Sequence, residues 1–158
     1  MALAIPRGCL PAQKIAYKIK QWLEAERLDC VILIGEFAKN TIFSYHVTLE
    51  SGTEITVFQP SDKNDSITIS ATLFLSEEKV KSLRKKHASI QQSTFSEVLI
   101  KLAPLDVEVS LEGGEIFQRI NINQQIYFDG LTKDRFFRAI STVNRAYRVA
   151  EWVVEQNI

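Results

Sequence analysis

A chain of 158 residues, 46% hydrophobic and 24% charged, has the make-up of a soluble globular protein and the length of a single domain, 1–158. Lysine plus arginine and aspartate plus glutamate both number 19, so no net field draws nucleic acid or an anionic membrane toward it. No run of about 18 apolar residues occurs, which excludes a membrane-spanning helix.

The opening MALAI, Met1 to Ile5, runs at once into Pro6, Arg7 and Gly8. It is too short for the core of a secretion signal and has no basic flank before it. Residues 1–10 are therefore expected to form a flexible tail or a short docking segment. Cys9 and Cys30 make neither a disulfide framework nor a metal cluster. Cys30 heads an apolar run and reads as a buried thiol, and the two observations together point to the cytoplasm.

Pro11 suits the first turn of a helix, and Ile15, Ile19, Trp22 and Leu23 then recur at helical spacing. Lys14, Lys18, Gln21 and Glu24 face the other way, and the helix should stop near Arg27. VILIG, Val31 to Gly35, is apolar up to its glycine and predicts a strand covered on both faces. Alternation follows, with Phe43, Tyr45, Val47 and Leu49 on one face and Ser44, His46, Thr48 and Glu50 on the other. Glu50-Ser51-Gly52 turns the chain into a strand that puts Ile55 and Val57 inward. After the polar loop Pro60 to Ser66, a fourth strand carries Ile67, Ile69, Ala71, Leu73 and Leu75 on one side.

Ser76 with Glu77 and Glu78 predicts the start of a long helix, ended by Pro104. Its stripe of Val80, Leu83, His87 and Ile90 changes register to Phe95, Val98, Leu99 and Leu102, so a bend or break is expected near Ser93-Thr94. Leu105, Val107, Val109 and Leu111 then alternate with acids and a serine, the strongest strand signal in the chain. Gly113-Gly114 predicts a hairpin, returning along Ile116, Ile120, Ile122, Ile126 and Phe128. Gln118 and Gln124 interrupt that face and suggest a bulge or an exposed strand end. Thr132 and Asp134 open a last helix with a core stripe of Phe136, Ile140, Val143, Tyr147, Ala150 and Val154. The fold class is α+β, in the order α-β-β-β-β-α-β-β-α, with an antiparallel twisted sheet packed against helices.

No residues assemble into chemistry. His46 lies on a polar strand face, and His87 reads as a partly buried core residue. Neither has Cys, His, Asp or Glu at ligand spacing, so no metal or cofactor is expected. Asp106 and Glu108 share a strand face as an acid and base might, but Glu112 extends the row as a solvated face would. Gly113-Gly114 precedes a strand and so is no phosphate cradle. Lys79, Lys81, Arg84, Lys85 and Lys86 are spread round their helix without interleaved aromatics, which makes nucleic-acid binding the lesser reading.

One departure from pattern points to a partner. Trp152 falls almost opposite the Phe136 stripe, on the side of Arg138 and Arg145, with Val149 beside it and Val153 completing an apolar last turn. A tryptophan shown to water calls for cover, from the N-terminal tail or from a second chain. The interaction candidates are therefore Trp152, Val149 and Val153, with Val98 and Leu102 on the long helix, and a homodimer is the expected assembly.

The element order resembles the type III secretion chaperone-like fold, whose usual order is α-β-β-β-α-β-β-α. The likeness covers roughly Gln13 to Gln156 and includes the phrases TVFQP, Thr56 to Pro60, and IYFDGLTKDRFFRAI, Ile126 to Ile140. It is similar to a superfamily that also holds the YbjN-type proteins and uncharacterised archaeal and other prokaryotic relatives. The chain is neutral where secretion chaperones tend to be acidic. The resemblance implies a small dimeric α+β protein that binds other proteins without catalysis. A non-catalytic protein-interaction module of chaperone-like kind is thus the first expectation. A small-ligand or nucleotide-binding protein, with a pocket between sheet and helices, is the second.

Overall fold

The computed structural model describes residues 11–33, 39–113 and 117–158. Helix α1 (Pro11–Ala25) leads into strands β1 (Asp29–Ile32), β2 (Thr41–Thr48), β3 (Glu54–Pro60) and β4 (Ser66–Phe74). Helices α2 (Glu77–Lys85) and α3 (Ala88–Leu102) follow, then β5 (Glu108–Gly113), β6 (Phe117–Tyr127) and helix α4 (Lys133–Asn157). The predicted α+β class and antiparallel sheet are borne out. The expected N-terminal tail, Cys9, Gly35, Gly114 and Ile116 lie outside the described residues.

The strands form a six-stranded sheet in the order β1-β2-β3-β4-β6-β5, antiparallel throughout. Alternation places Val47, Ile55, Val57, Ile67, Ile69, Ile120 and Ile122 on one face, where each is fully buried. Helix α4 lies across that face over β4 and β6, inserting Phe136, Val143, Ala146, Ala150 and Val153. Its start is capped as expected, with the Arg135 amide donating to the Thr132 hydroxyl at 3.1 Å. Helix α1 covers the same face on one side of α4, and the Tyr45 hydroxyl of β2 donates to its Ala16 carbonyl at 3.0 Å. Helix α3 packs on the other side of α4. The opposite sheet face presents Thr56, Thr68, Ser70, Thr72, Asn121, Asn123 and Gln125, and among the described residues no helix covers it.

Helix α1 ends close to the predicted point. The Arg27 amide donates to the Glu24 carbonyl at 3.0 Å and the Leu28 amide to the Leu23 carbonyl at 3.1 Å, while Arg27 takes φ 56°. This is the Schellman ending, with arginine in the left-handed position that glycine usually fills.

Several expectations need correction. The run at Val31 is not covered on both faces: β1 is an edge strand with one neighbour, and Val31 and Ile32 are 61% and 53% exposed. The long helix is two helices, broken at Lys86-His87 and not at Ser93-Thr94. Lys86 turns extended, and His87 is exposed and caps α3, its Nδ1 accepting from the Ser89 amide at 3.4 Å. The Gln91 side chain seals the break by donating to the carbonyls of Leu83 and Lys86 at 3.0 and 3.2 Å. Thr94 instead turns its hydroxyl back to the Ile90 carbonyl at 2.8 Å and sits buried inside α3.

Strand β5 starts at Glu108, because Leu105 and Val107 lie in a turn closed by the Val107 amide on the Leu105 carbonyl at 2.8 Å. The β4–β6 ladder runs without a break from Ser66↔Tyr127 to Phe74↔Arg119, but the β5–β6 ladder shifts register between Glu112 and Gly113, passing over Gln118, so an irregularity lies at one of the two expected positions. Gln118 is exposed, while Gln124 stands in the core row between Ile122 and Ile126. Its Oε1 is buried without a partner among the described residues, and its Nε2 reaches Asp106 Oδ2 at 3.4 Å.

Candidate interaction surface

The predicted interaction residues separate once folded. Val98, Leu102 and Val153 are fully buried in the chain's own core, so their expected place in an interface is corrected. They lie where α3 meets α4, which Asn157 Nδ2 pins from outside by donating to Glu97 Oε2 at 3.0 Å. Trp152 is 52% exposed and Val149 half-buried. These two remain at the surface.

Trp152 stands at the end of a row that sequence reading saw only in part. Asp134, Arg138, Ser141, Arg145, Arg148 and Trp152 are spaced four, three, four, three and four residues apart, and all are exposed. That spacing sets them along one line on the outside of α4. Two adjoining shallow depressions follow the line. One, of about 460 Å³, is lined by Asn144, Arg148, Val149 and Trp152; the other, of about 370 Å³, by Asp134, Phe137, Arg138 and Thr142; Ser141 and Arg145 belong to both. Arg138 pairs with Asp134 at 3.0 Å. Arg145 and Arg148 form no salt bridge with any described residue.

Helix α3 offers a surface of another kind. Its outward face carries Ser89, Gln92, Ser93, Ser96, Leu99, Ile100 and then Ala103, all exposed and none charged. Ile100 is 70% exposed. Of the two charged residues of the helix, Glu97 stands on its flank toward α4, where Asn157 meets it, and Lys101 follows one turn on, off the outward face. The outer faces of α1, α2 and α4 are charged in the ordinary way. The signal in the sequence was the absence of charge between Ala88 and Ser96.

Between α3 and the β5–β6 hairpin lies a groove of about 580 Å³, lined by Leu83, Phe95, Leu111 and Phe117 with Ser89, Gln91, Gln92 and Glu112. Most of its polar groups are already engaged. Gln91 closes α2, Ser89 meets His87, and Glu112 binds Arg119 at 2.8 Å and Asn121 at 2.8 Å.

On the open sheet face His46 Nε2 lies 3.7 Å from Glu54 Oε1, beside Thr56, Ser70, Thr72 and Phe74. Asp106 and Glu108 are exposed. Among the described residues no group of three or more His, Cys, Asp or Glu is placed to hold a metal ion. Burial raises the Cys30 thiol pKa, with Glu24 adding to the effect, so the group is a weak nucleophile. No helix of the described residues is long and apolar enough to cross a membrane.

The family model described as "Uncharacterized conserved protein (DUF2299)" matches residues 15–154, from α1 to the last turn of α4. The chain belongs to this family. The crystal structure of an uncharacterized protein from Methanothermobacter thermautotrophicus superposes with a TM-score of 0.79 at 27% identity, over 89% of this chain and 96% of that one. The crystal structure of YbjN from E. coli superposes with a TM-score of 0.51 at 14% identity, over 90% of each chain. That second likeness is one of fold. No curated protein matches the chain.

Proposed function

We propose that the protein is a non-catalytic, cytoplasmic protein-interaction module of chaperone-like kind that works as a homodimer, joined through the outer face of α3. The uncharged surface from Ser89 to Ala103 supports this reading most directly. A helix face left in water normally carries charges, and this one carries serine, alanine, leucine and isoleucine. Two copies meeting on a two-fold axis bring the residues nearest the axis against their own counterparts, which penalises a charge there and spares this face. The small side chains of Ser93, Ser96 and Ala103 allow close approach, with Leu99 and Ile100 as the packing residues. The half-buried free thiol of Cys30 suits a reducing compartment.

The groove beside the β5–β6 hairpin supports the second reading, a ligand-binding protein, less well. Its walls are partly apolar and most of its polar groups are spoken for, so it suits an apolar side chain better than a nucleotide.

Light scattering on the wild type and on Ser96→Glu/Ile100→Lys tests the dimer. A dimeric wild type and a folded, monomeric variant are expected. A wild type that stays monomeric at high concentration overturns the homodimer. A dimer indifferent to both substitutions overturns its assignment to α3.

A further inference from the structure

We propose that the outer row of α4 is a docking surface for an acidic amphipathic helix of another protein. The proposal rests on the reading of the chain as an interaction module but not on its dimerisation.

Geometry comes first. The three-four-three-four spacing from Arg138 to Trp152 averages 3.5 residues, the repeat by which one helix follows another along a seam. At 1.5 Å per residue, Arg138 to Trp152 covers about 21 Å, enough for some four turns of a partner. The two depressions that share Ser141 and Arg145 make this a continuous track.

Charge then selects the occupant. Arg145 and Arg148 are exposed and form no salt bridge within the described chain, although the protein as a whole is neutral. A second copy of the same row would set arginine against arginine, which disfavours self-association here. Guanidinium groups match carboxylates through paired parallel hydrogen bonds. At the end of the track, Trp152 and half-buried Val149 provide an apolar seat beside those cations. Tryptophan and arginine in one place is the composition of interface hot spots. Nucleic acid fits less well, because Arg145 and Arg148 are the row's cations without a salt bridge, and two charges neutralise few of the phosphates that supply its affinity.

The test uses the full chain and fluorescence anisotropy of three labelled probes. These are an alanine-based helical peptide of about 21 residues with glutamates and one leucine at heptad positions, the same peptide with lysines for glutamates, and single-stranded oligo-dT. The acidic peptide should bind at least tenfold more tightly than the basic one, with affinity falling as salt rises. Arg145→Ala/Arg148→Ala should weaken it about tenfold, and Trp152→Ala by a similar factor or more. Arg145→Glu/Arg148→Glu, exposed changes that leave the core untouched, should reverse the preference toward the basic peptide. Equal binding of the two peptides by the wild type, or a preference that survives charge reversal, overturns the proposal. Tighter binding of oligo-dT than of the acidic peptide also overturns it and assigns the row to nucleic acid. None of these outcomes depends on the oligomeric state, so a monomer that prefers the acidic peptide separates this inference from the dimer.

Discussion

The ring of Trp22 on α1 lies 5.6 Å, centroid to centroid, from the ring of Phe136 on α4, tilted by 41°. Phe136 also meets Phe137 edge-on at 5.2 Å, and the Lys18 ammonium stands 5.4 Å over the indole. Just past the end of α1, Glu26 pairs with Lys133 at 2.8 Å. An apolar contact and an ionic one thus hold the same two helix ends together, and their energies differ widely. Phe136 is fully buried, so Phe136→Ala should cost about 3–5 kcal/mol through lost transfer energy and the cavity left behind. Both partners of the ion pair are about half exposed, and Lys133→Ala should cost under about 1 kcal/mol. Urea titration of the two variants measures both. Equal losses would mean that the salt bridge and not the ring pair fastens α1.

Arg27 is the non-glycine residue with positive φ among those described, at 56°. Left-handed backbone costs a residue with a Cβ about 1–2 kcal/mol, and glycine returns part of that gain through its freer unfolded chain. Arg27→Gly should therefore raise stability by roughly 0.5–1 kcal/mol, seen as a higher Tm. A lower Tm would show that the arginine side chain contributes more than its backbone strain costs.

Tyr45 links stability to alkaline pH. Burial, then the neighbouring Cys30 and Glu24, push its phenol up to about 12, against about 10 in an unfolded chain. The unfolded chain thus gives up this proton first. The contribution is whole below about pH 10 and is lost as pH climbs through about 12. Tyr45→Phe also removes the hydroxyl bond to Ala16. Its own melting curve should nonetheless fall less steeply over that window. Parallel curves for wild type and variant would count against the assignment.

If the exposed carboxylates and His46 do no chemistry, His46→Gln, Asp106→Asn and Glu108→Gln should each shift stability by less than about 0.5 kcal/mol and leave cellular function intact. Complementation of a deletion strain, with melts alongside, reads out both. Loss of function in a stable variant would place an active site on the open sheet face or at the start of β5.

The strands were legible where alternation was pure, as from Ile67 to Leu73, because one face meets helices and the other does not. The helix caps at Ser76 and Thr132 were legible because side-chain chemistry is local. What the sequence hid depended on neighbours far along the chain. Val31 reads as buried by composition, yet it sits on an edge strand. His87 falls on an apolar stripe, yet its ring turns to cap the following helix, and a break closed by a glutamine one turn further on leaves no periodic trace. Gln124 reads as a bulge or an exposed strand end, but the ladder with β4 carries it into the core with one oxygen unpaired among the described residues. For the surfaces, Trp152 could be read from the helical wheel, whereas Val98, Leu102 and Val153 were misplaced because packing between α3 and α4 decides them.

Helix α4 lies at the middle of the core and comes after every strand that it covers. Ser66 and Gln125, whose side chains bond at 2.7 Å, are 59 residues apart, so β4 keeps an open edge until β6 has been made. During translation the growing sheet must therefore carry Ile67, Ile69, Ile120 and Ile122 uncovered until α4 emerges to close over them. The nascent chain passes through a sticky, unfinished stage before α4 is made, when an early ribosomal stop would release a molecule prone to aggregate and suited to capture by the cell's folding helpers.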